Sequence, residues 1–288
     1  MATSGVCTCF GGYIGQYCER VMRDCQEGEP YYRGQEGVFL VKPVAAPMPF
    51  PVLCSFIASY PKTRLYMQRH LSSGSNFNRT WIEYQEGFGD LSGIAFNLWL
   101  GNKYLNYITT SDNYTLVIEM ADASWTLIYQ QEYSHFVVGD PLSLFKLELS
   151  GPSVSTLSGY PTLGDSFSSL NGNKFSTYDS DNDGNSNNCG KSHGNGFWFG
   201  NLDQYGNCTF CNPNGVLIDS VNHVRAGVLY EVFWNSMASW SPWHVQMWLE
   251  KRYRPNEVLT ISTLLRKDVK TDFRICFFIA KLPEGHLG

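Results

Sequence analysis

Long apolar runs are missing from this chain. None approaches the roughly 20 residues that a membrane-crossing helix needs, so no membrane span is expected. Charge is also scarce: Asp, Glu, Lys and Arg make up 16% of the residues, and the formal net charge is −5. With acids in excess there is no basic footprint to neutralise a phosphate backbone, which argues against nucleic-acid binding. The first residues, MATSGVCTCF, contain no charged stretch followed by an apolar one, so they are not read as a signal peptide. No H-E-x-x-H, G-x-S-x-G or G-x-x-x-x-G-K-[ST] pattern surrounds His70, His135, His193, His223, His244 or His286. A triad assembled from distant residues leaves no motif, yet nothing here points to catalysis, and the chain is read as not an enzyme. No repeat of 20–50 residues is visible either.

What is present is a chain of 288 residues, long enough for one large domain or two smaller ones. Aromatic residues reach 15%, almost matching the charged ones, and glycine is frequent. That composition suits short strands joined by many loops. Nine cysteines fit an oxidising compartment better than the cytosol, so a secreted, extracellular protein is expected.

The densest chemistry lies in YDSDNDGNSNNC, residues 178–189. Asp179, Asp181 and Asp183 alternate, so Asp181 and Asp183 can converge on one cation. Gly184 and the Asn/Ser run behind it allow the backbone to curl with its carbonyls inward. A Ca²⁺ ion takes about six to eight oxygens, carboxylate and carbonyl alike. From the residues alone three readings stay open: a solvated Asp/Asn turn, an EF-hand, and a calcium loop of another kind. The EF-hand needs a bidentate Glu at its twelfth position, which here is Gly190, and no amphipathic helix flanks the loop.

Residues 7–18, CTCFGGYIGQYC, resemble the second half of an EGF-like domain. The resemblance implies a Cys9–Cys18 bond and a partner for Cys7 upstream, as though the chain began inside that module. A zinc knuckle would need two further ligands at suitable spacing, and none is apparent. Farther on, GVFLVKP, TRLYMQR and YTLVIEM read as strands. Thr80 to Glu86 reads as a short helix, capped by Thr80 and ended by Gly87.

Several runs together resemble the fibrinogen C-terminal domain family: NFNRTWIEYQEGFGDL at 76–91, WLGN at 99–102, NGNKFSTYDSDND at 171–183 and NGV at 214–216. The resemblance covers about residues 24–250. It implies an α+β fold with a small N-terminal part, a central twisted, mostly antiparallel sheet with short helices, and a loop-rich calcium and ligand subdomain. The expected division is 1–20 as a partial EGF-like module, 21–250 as the fibrinogen-like domain and 251–288 as a tail without counterpart, with a short helix at 257–267 and a strand-like RICFFIA.

The resemblance also implies site residues. Calcium would be held by the side chains of Asp181 and Asp183 and the carbonyls of Asn185 and Asn187, with Asp179 in a structural role. Disulfides would join Cys25 to Cys54 and Cys189 to Cys208. The ligand pocket would lie at the Asn207–Cys208 peptide, often cis in the family, with Thr209, Phe197, Trp198 and Arg225 around it. Phe197 and Trp198 are, on residue type alone, more often core. The sequence departs from the family here: Thr209 replaces a frequent His, residues 201–205 look inserted, and Cys211 is extra. Arg64 stands near a usual Trp, and residues 94–97 also look inserted.

Asn78, Asn113 and Asn207 begin N-x-[ST] sequons, so each is a candidate glycan acceptor. The implied function is a secreted, calcium-binding recognition module for acetylated or anionic glycans. The alternative is a matrix or receptor-binding ligand of tenascin or angiopoietin type, which the altered pocket favours. Partners would be glycans or extracellular and cell-surface proteins, and an upstream segment would be the place for oligomerisation.

Overall fold

The run Tyr114–Ala121 is apolar at nearly every position, which suits a strand covered on both faces. In the computed structural model it is the strand β8, and every residue in it is buried. The structure describes residues 7–60, 62–72, 76–91, 97–153, 159–217, 229–237 and 240–252. The expected helix and strand of the 251–288 tail, and Arg225 and Cys276, lie outside the described residues.

In chain order the elements are β1 (Tyr13–Ile14), β2 (Arg20–Val21), α1 (Cys25–Tyr32), β3 (Glu36–Val41), β4 (Phe50–Ser55), β5 (Arg64–His70), α2 (Trp81–Glu86), β6 (Phe88–Gly89), β7 (Asn97–Trp99), α3 (Asn102–Ser111), β8 (Tyr114–Ala121), β9 (Ile128–Val138), β10 (Leu147–Ser153), α4 (Cys189–His193) and β11 (His244–Lys251). The main sheet runs β10-β9-β8-β11-β5-β4-β3, and β7 joins β5 to β6. Each of these pairs is antiparallel. The fold is therefore α+β with a mostly antiparallel sheet, as the resemblance implied. The closing strand lies slightly later than the expected 240–249 and enters the sheet centre, between β5 and β8.

Alternation divides the two faces. Leu116, Ile118 and Met120 of β8 face the main core with Met67, Val245 and Met247. Val117 and Trp248 join Leu53, Tyr66 and Leu98 in a second cluster. Arg64 lies between the Tyr60 and Trp248 rings, its guanidinium 3.5 and 4.0 Å from their centroids. A cation flanked by two rings thus occupies the place where an aromatic residue was expected.

The helix Trp81–Glu86 forms as its capping residues predict. The Glu83 N–H donates to Thr80 Oγ1, and the Thr80 N–H donates to Glu83 Oε2 at 2.8 Å. Gly87 ends it at φ +88, and a Cβ there would stand 2.4 Å from the Leu100 carbonyl oxygen. Three helices were not foreseen. In α1, Gly28 and Pro30 weaken the local signal. In α3 the threonines do the same, and Trp99 Nε1–H donates to Asn102 Oδ1 to fix its start.

The first and last parts of the domain are tied together by charge. Asp24 caps α1 and accepts from Lys251 Nζ at 3.1 Å, and Lys251 also reaches Asp112 at 2.6 Å. The Cys9–Cys18, Cys25–Cys54 and Cys189–Cys208 disulfides form. Cys9 and Ile14 belong to the same core as the sheet, so the 7–22 segment packs onto the larger domain.

His70 carries an acid-sensitivity prediction. Its ring is buried against Phe77 at 4.5 Å. Burial holds its pKa down, to about 4, against an upward pull from the Pro213 carbonyl. The unfolded chain takes up the proton first, so stability should fall as pH drops from about 6.5 toward 4. The loss from this one group is on the order of 3 kcal/mol. Urea titrations of the native protein and a His70→Phe variant should show the acid limb flattened in the variant; superimposable pH profiles would refute the assignment.

Candidate functional site: the 176–209 loop pair

The candidate site begins with a turn. Asn182 Nδ2 donates to the Phe175 carbonyl at 2.9 Å, and its backbone N–H donates to Ser176 Oγ at 3.0 Å. That pins the loop against the core and leaves the next residues to curl. Asp183 is buried, and its two oxygens accept the N–H groups of Asn185 at 2.8 Å and Cys189 at 3.0 Å. Asp181 is exposed, and its Oδ1 accepts weakly from the Asp183 N–H at 3.5 Å.

The two carboxylates act on each other. Burial, helped by the nearby Asp181 charge, raises the pKa of Asp183, while its two backbone N–H bonds oppose the rise. Two acidic groups held together in this way favour a cation between them. Among the described residues the carbonyls of Asn185 and Asn187 accept no hydrogen bond, which leaves both available as ligands. No group of three His, Cys, Asp or Glu side chains gathers as a metal site among the described residues. A cation here would therefore take the rest of its oxygens from backbone and water, a donor set that suits Ca²⁺.

Asp179 turns away from this pair. It accepts from the Trp81 N–H at 2.9 Å and the Thr177 hydroxyl at 2.7 Å, joining the loop to the start of α2. Asn188 caps α4 by accepting from the Lys191 N–H at 2.7 Å. Gly190, at the EF-hand's Glu position, lies so close to Thr177 that a Cβ would stand 2.5 Å from its carbonyl carbon.

The second loop differs from expectation in three ways. The Asn207–Cys208 peptide is trans, since no cis bond occurs among the described residues. Its flanking carbonyls are occupied: Leu202 N–H donates to Asn207 and Gly200 N–H donates to Cys208, both at 2.9 Å. Leu202, within the inserted residues, makes one of these bonds, and Asp203 accepts from the Tyr205 and Asn207 N–H groups. Second, Phe197 and Trp198 form core, not ligand wall; neither has exposed surface. Third, Thr209 is buried and closes on its own turn, donating to the Cys211 carbonyl at 2.6 Å. The Cys211 thiol is fully buried, and burial pushes its pKa well up. Arg225 lies outside the described residues.

The two loops are nevertheless joined. Asn185 Nδ2 donates to the Gly206 carbonyl at 2.9 Å, and Cys189–Cys208 links their ends. A different concavity, of about 280 Å³, opens between Phe77, Gly194, Val216 and Tyr230, with Asn76 and Asn78 at its edge. Its walls come from NFNRTW and NGV, two motifs that sequence reasoning marked separately and did not bring together. Of the sequon asparagines, Asn78 and Asn113 are exposed with unengaged side-chain amides among the described residues, whereas Asn207 donates its amide to Asp203.

The sheet, the disulfides and the loop pair define a fibrinogen-like globe. The family model described as the C-terminal globular domain of fibrinogen beta and gamma chains matches residues 21–252, and the chain belongs to that family. It is 30% identical to human fibrinogen-like protein 1 over 246 residues, covering 84% of this chain and 74% of that protein. It is 31% identical to bovine angiopoietin-4 over 207 residues, 72% of this chain and 38% of that one. Among solved structures, the fibrinogen-like globe domain of human ANGPTL2 superposes with a TM-score of 0.69 at 28% identity, covering 81% of this chain and all of that one.

Proposed function

We propose that this chain is an extracellular, calcium-binding fibrinogen-like module that recognises a protein partner, in the manner of a receptor-binding ligand. The observation that carries this reading is the buried state of Phe197, Trp198 and Thr209 beside a trans Asn207–Cys208 peptide. An acetyl pocket needs an apolar wall open to the methyl group and free donors near it. Here the wall is core, the Thr209 hydroxyl closes on the Cys211 carbonyl, and the Asn207 and Cys208 carbonyls are taken by Leu202 and Gly200. Similarity to fibrinogen-like protein 1 and angiopoietin-4 supports the same reading. Three disulfides support passage through an oxidising compartment. The 7–18 segment, with its Cys9–Cys18 bond and with Tyr13–Ile14 paired to Arg20–Val21 just beyond it, is the second half of an EGF-like module on this reading. Asp181, Asp183 and the Asn185 and Asn187 carbonyls would hold the Ca²⁺, which supplies a fixed positive centre that keeps the loop curled.

Glycan recognition is the rival reading, and one titration separates the two. Adding N-acetylglucosamine to the enzymatically deglycosylated domain should show binding weaker than about 1 mM, or about −4 kcal/mol. Micromolar affinity that disappears on chelation would establish the lectin reading in its place. Screening the same domain against receptor ectodomains, with and without chelator, should instead return a calcium-dependent protein partner.

A further inference from the structure

We propose that Asn78 carries an N-linked glycan and that its first N-acetylglucosamine lies over the cavity between Phe77 and Tyr230. The inference rests on the secretory reading above, and the site belongs to neither the calcium loop nor the Asn207 turn.

Asn78 stands on a fixed part of the chain. The preceding Phe77 is buried, and its carbonyl accepts from the Tyr84 hydroxyl at 2.8 Å and the Arg79 N–H at 2.9 Å. The Asn78 N–H donates to Asn76 Oδ1 at 2.8 Å. Thr80, which completes the sequon, is held in the capping box of α2. The Asn78 side chain therefore projects from an anchored loop. It is exposed, and its amide makes no hydrogen bond among the described residues. Asn207 differs, because its amide is committed to Asp203.

The cavity beside it presents exposed apolar side chains. Val216 and Tyr230 are 50% and 51% exposed, and they line a hollow of about 280 Å³ whose edge Asn78 forms. Open apolar surface of this kind is costly in water. The first sugar of an N-glycan is matched to it in two respects. A pyranose presents an apolar C–H face that stacks on an aromatic ring, and its acetamide can hydrogen-bond the exposed Asn76 side chain. It is also tethered to Asn78, so it occupies the cavity mouth without the entropy cost of a free ligand.

The bond is made before or during folding. Asn78 Nδ2 attacks C1 of the first N-acetylglucosamine of a lipid pyrophosphate-linked oligosaccharide. The C1–O bond breaks, the lipid pyrophosphate leaves with the electron pair, and the amide gives up one proton to the transferase.

The test uses the whole chain, secreted from eukaryotic cells behind a leader peptide. Peptide mapping after glycosidase release in ¹⁸O water should find Asn78 converted to ¹⁸O-labelled Asp. Trimming the glycan to a single N-acetylglucosamine should leave Tm unchanged. Asn78→Gln should lower it by roughly 2–4 °C, and in a Tyr230→Ser background that difference should vanish. An unmodified Asn78 in protein recovered from the medium overturns the proposal. Occupancy of Asn113 in the same sample then shows that the secretory reading survives. An occupied Asn78 whose loss changes Tm equally with and without Tyr230 overturns the placement of the sugar.

Discussion

Trp198→Ala should cost this domain about 3–5 kcal/mol, a large share of the ~5–15 kcal/mol that holds a typical domain folded. The indole is fully buried, with Phe175 at 5.2 Å, Phe136 at 6.0 Å and Trp99 at 6.1 Å between ring centroids. Its Nε1–H donates to the Phe145 carbonyl at 2.8 Å. Truncation therefore opens a cavity and also leaves a buried carbonyl without its donor. Equilibrium urea unfolding should show the midpoint fall with little change in slope. A residue that merely lined a ligand wall would behave otherwise, with affinity lost and stability changed by under about 1 kcal/mol. That pattern for Trp198→Ala would return it to the pocket and contradict the fold described above.

Saturating Ca²⁺ should stabilise the protein by about 2.7 kcal/mol when the ion is present at a hundred times its dissociation constant. For a domain of this size that corresponds to a rise in Tm of roughly 5–10 °C. Asp181→Ala and Asp183→Ala should each abolish the rise. The pH dependence has a definite sign. Without the ion, the raised pKa of Asp183 means that its contribution favours the fold in acid and is lost as pH rises through the folded value. With the ion, the carboxylate must be ionised, so the increment from Ca²⁺ shrinks as pH falls through the same range. Differential scanning calorimetry in calcium and in EDTA, at neutral and acidic pH, measures both effects. Identical melting curves in calcium and EDTA at neutral pH would remove the cation from the site.

Much of this was legible in local patterns. YTLVIEM, rich in β-branched and other apolar residues, reads as a strand from its own composition, although the burial of Thr115 and Glu119 within it does not. Thr80, Glu83 and Gly87 specify a helix start and stop within eight residues, because each acts on backbone groups three or four positions away. The alternation of Asp181 and Asp183, followed by Gly184, likewise encodes a local curl. Such features depend on neighbours in sequence, and the sequence contains them in full.

Other features depend on residues far apart. Helices α1 and α3 carry Gly, Pro and threonines that local propensity disfavours. They form because Asp24, Lys251 and Tyr114 meet at one end, and because Trp99 fixes Asn102 at the other. The fate of Phe197 and Trp198 could not be read from residue type, since an aromatic pair serves equally as core or as a ligand wall. Tertiary structure decided it by bringing Phe136, Phe167 and Phe175 around them. The same holds for the cavity at Asn78. NFNRTW and NGV are separated by more than a hundred residues, and only packing of the 214–216 segment beside the approach to α2 makes them two walls of one hollow. A sequence records which groups a chain owns and how adjacent ones act on the backbone; which distant groups share a desolvated space follows only from the three-dimensional packing.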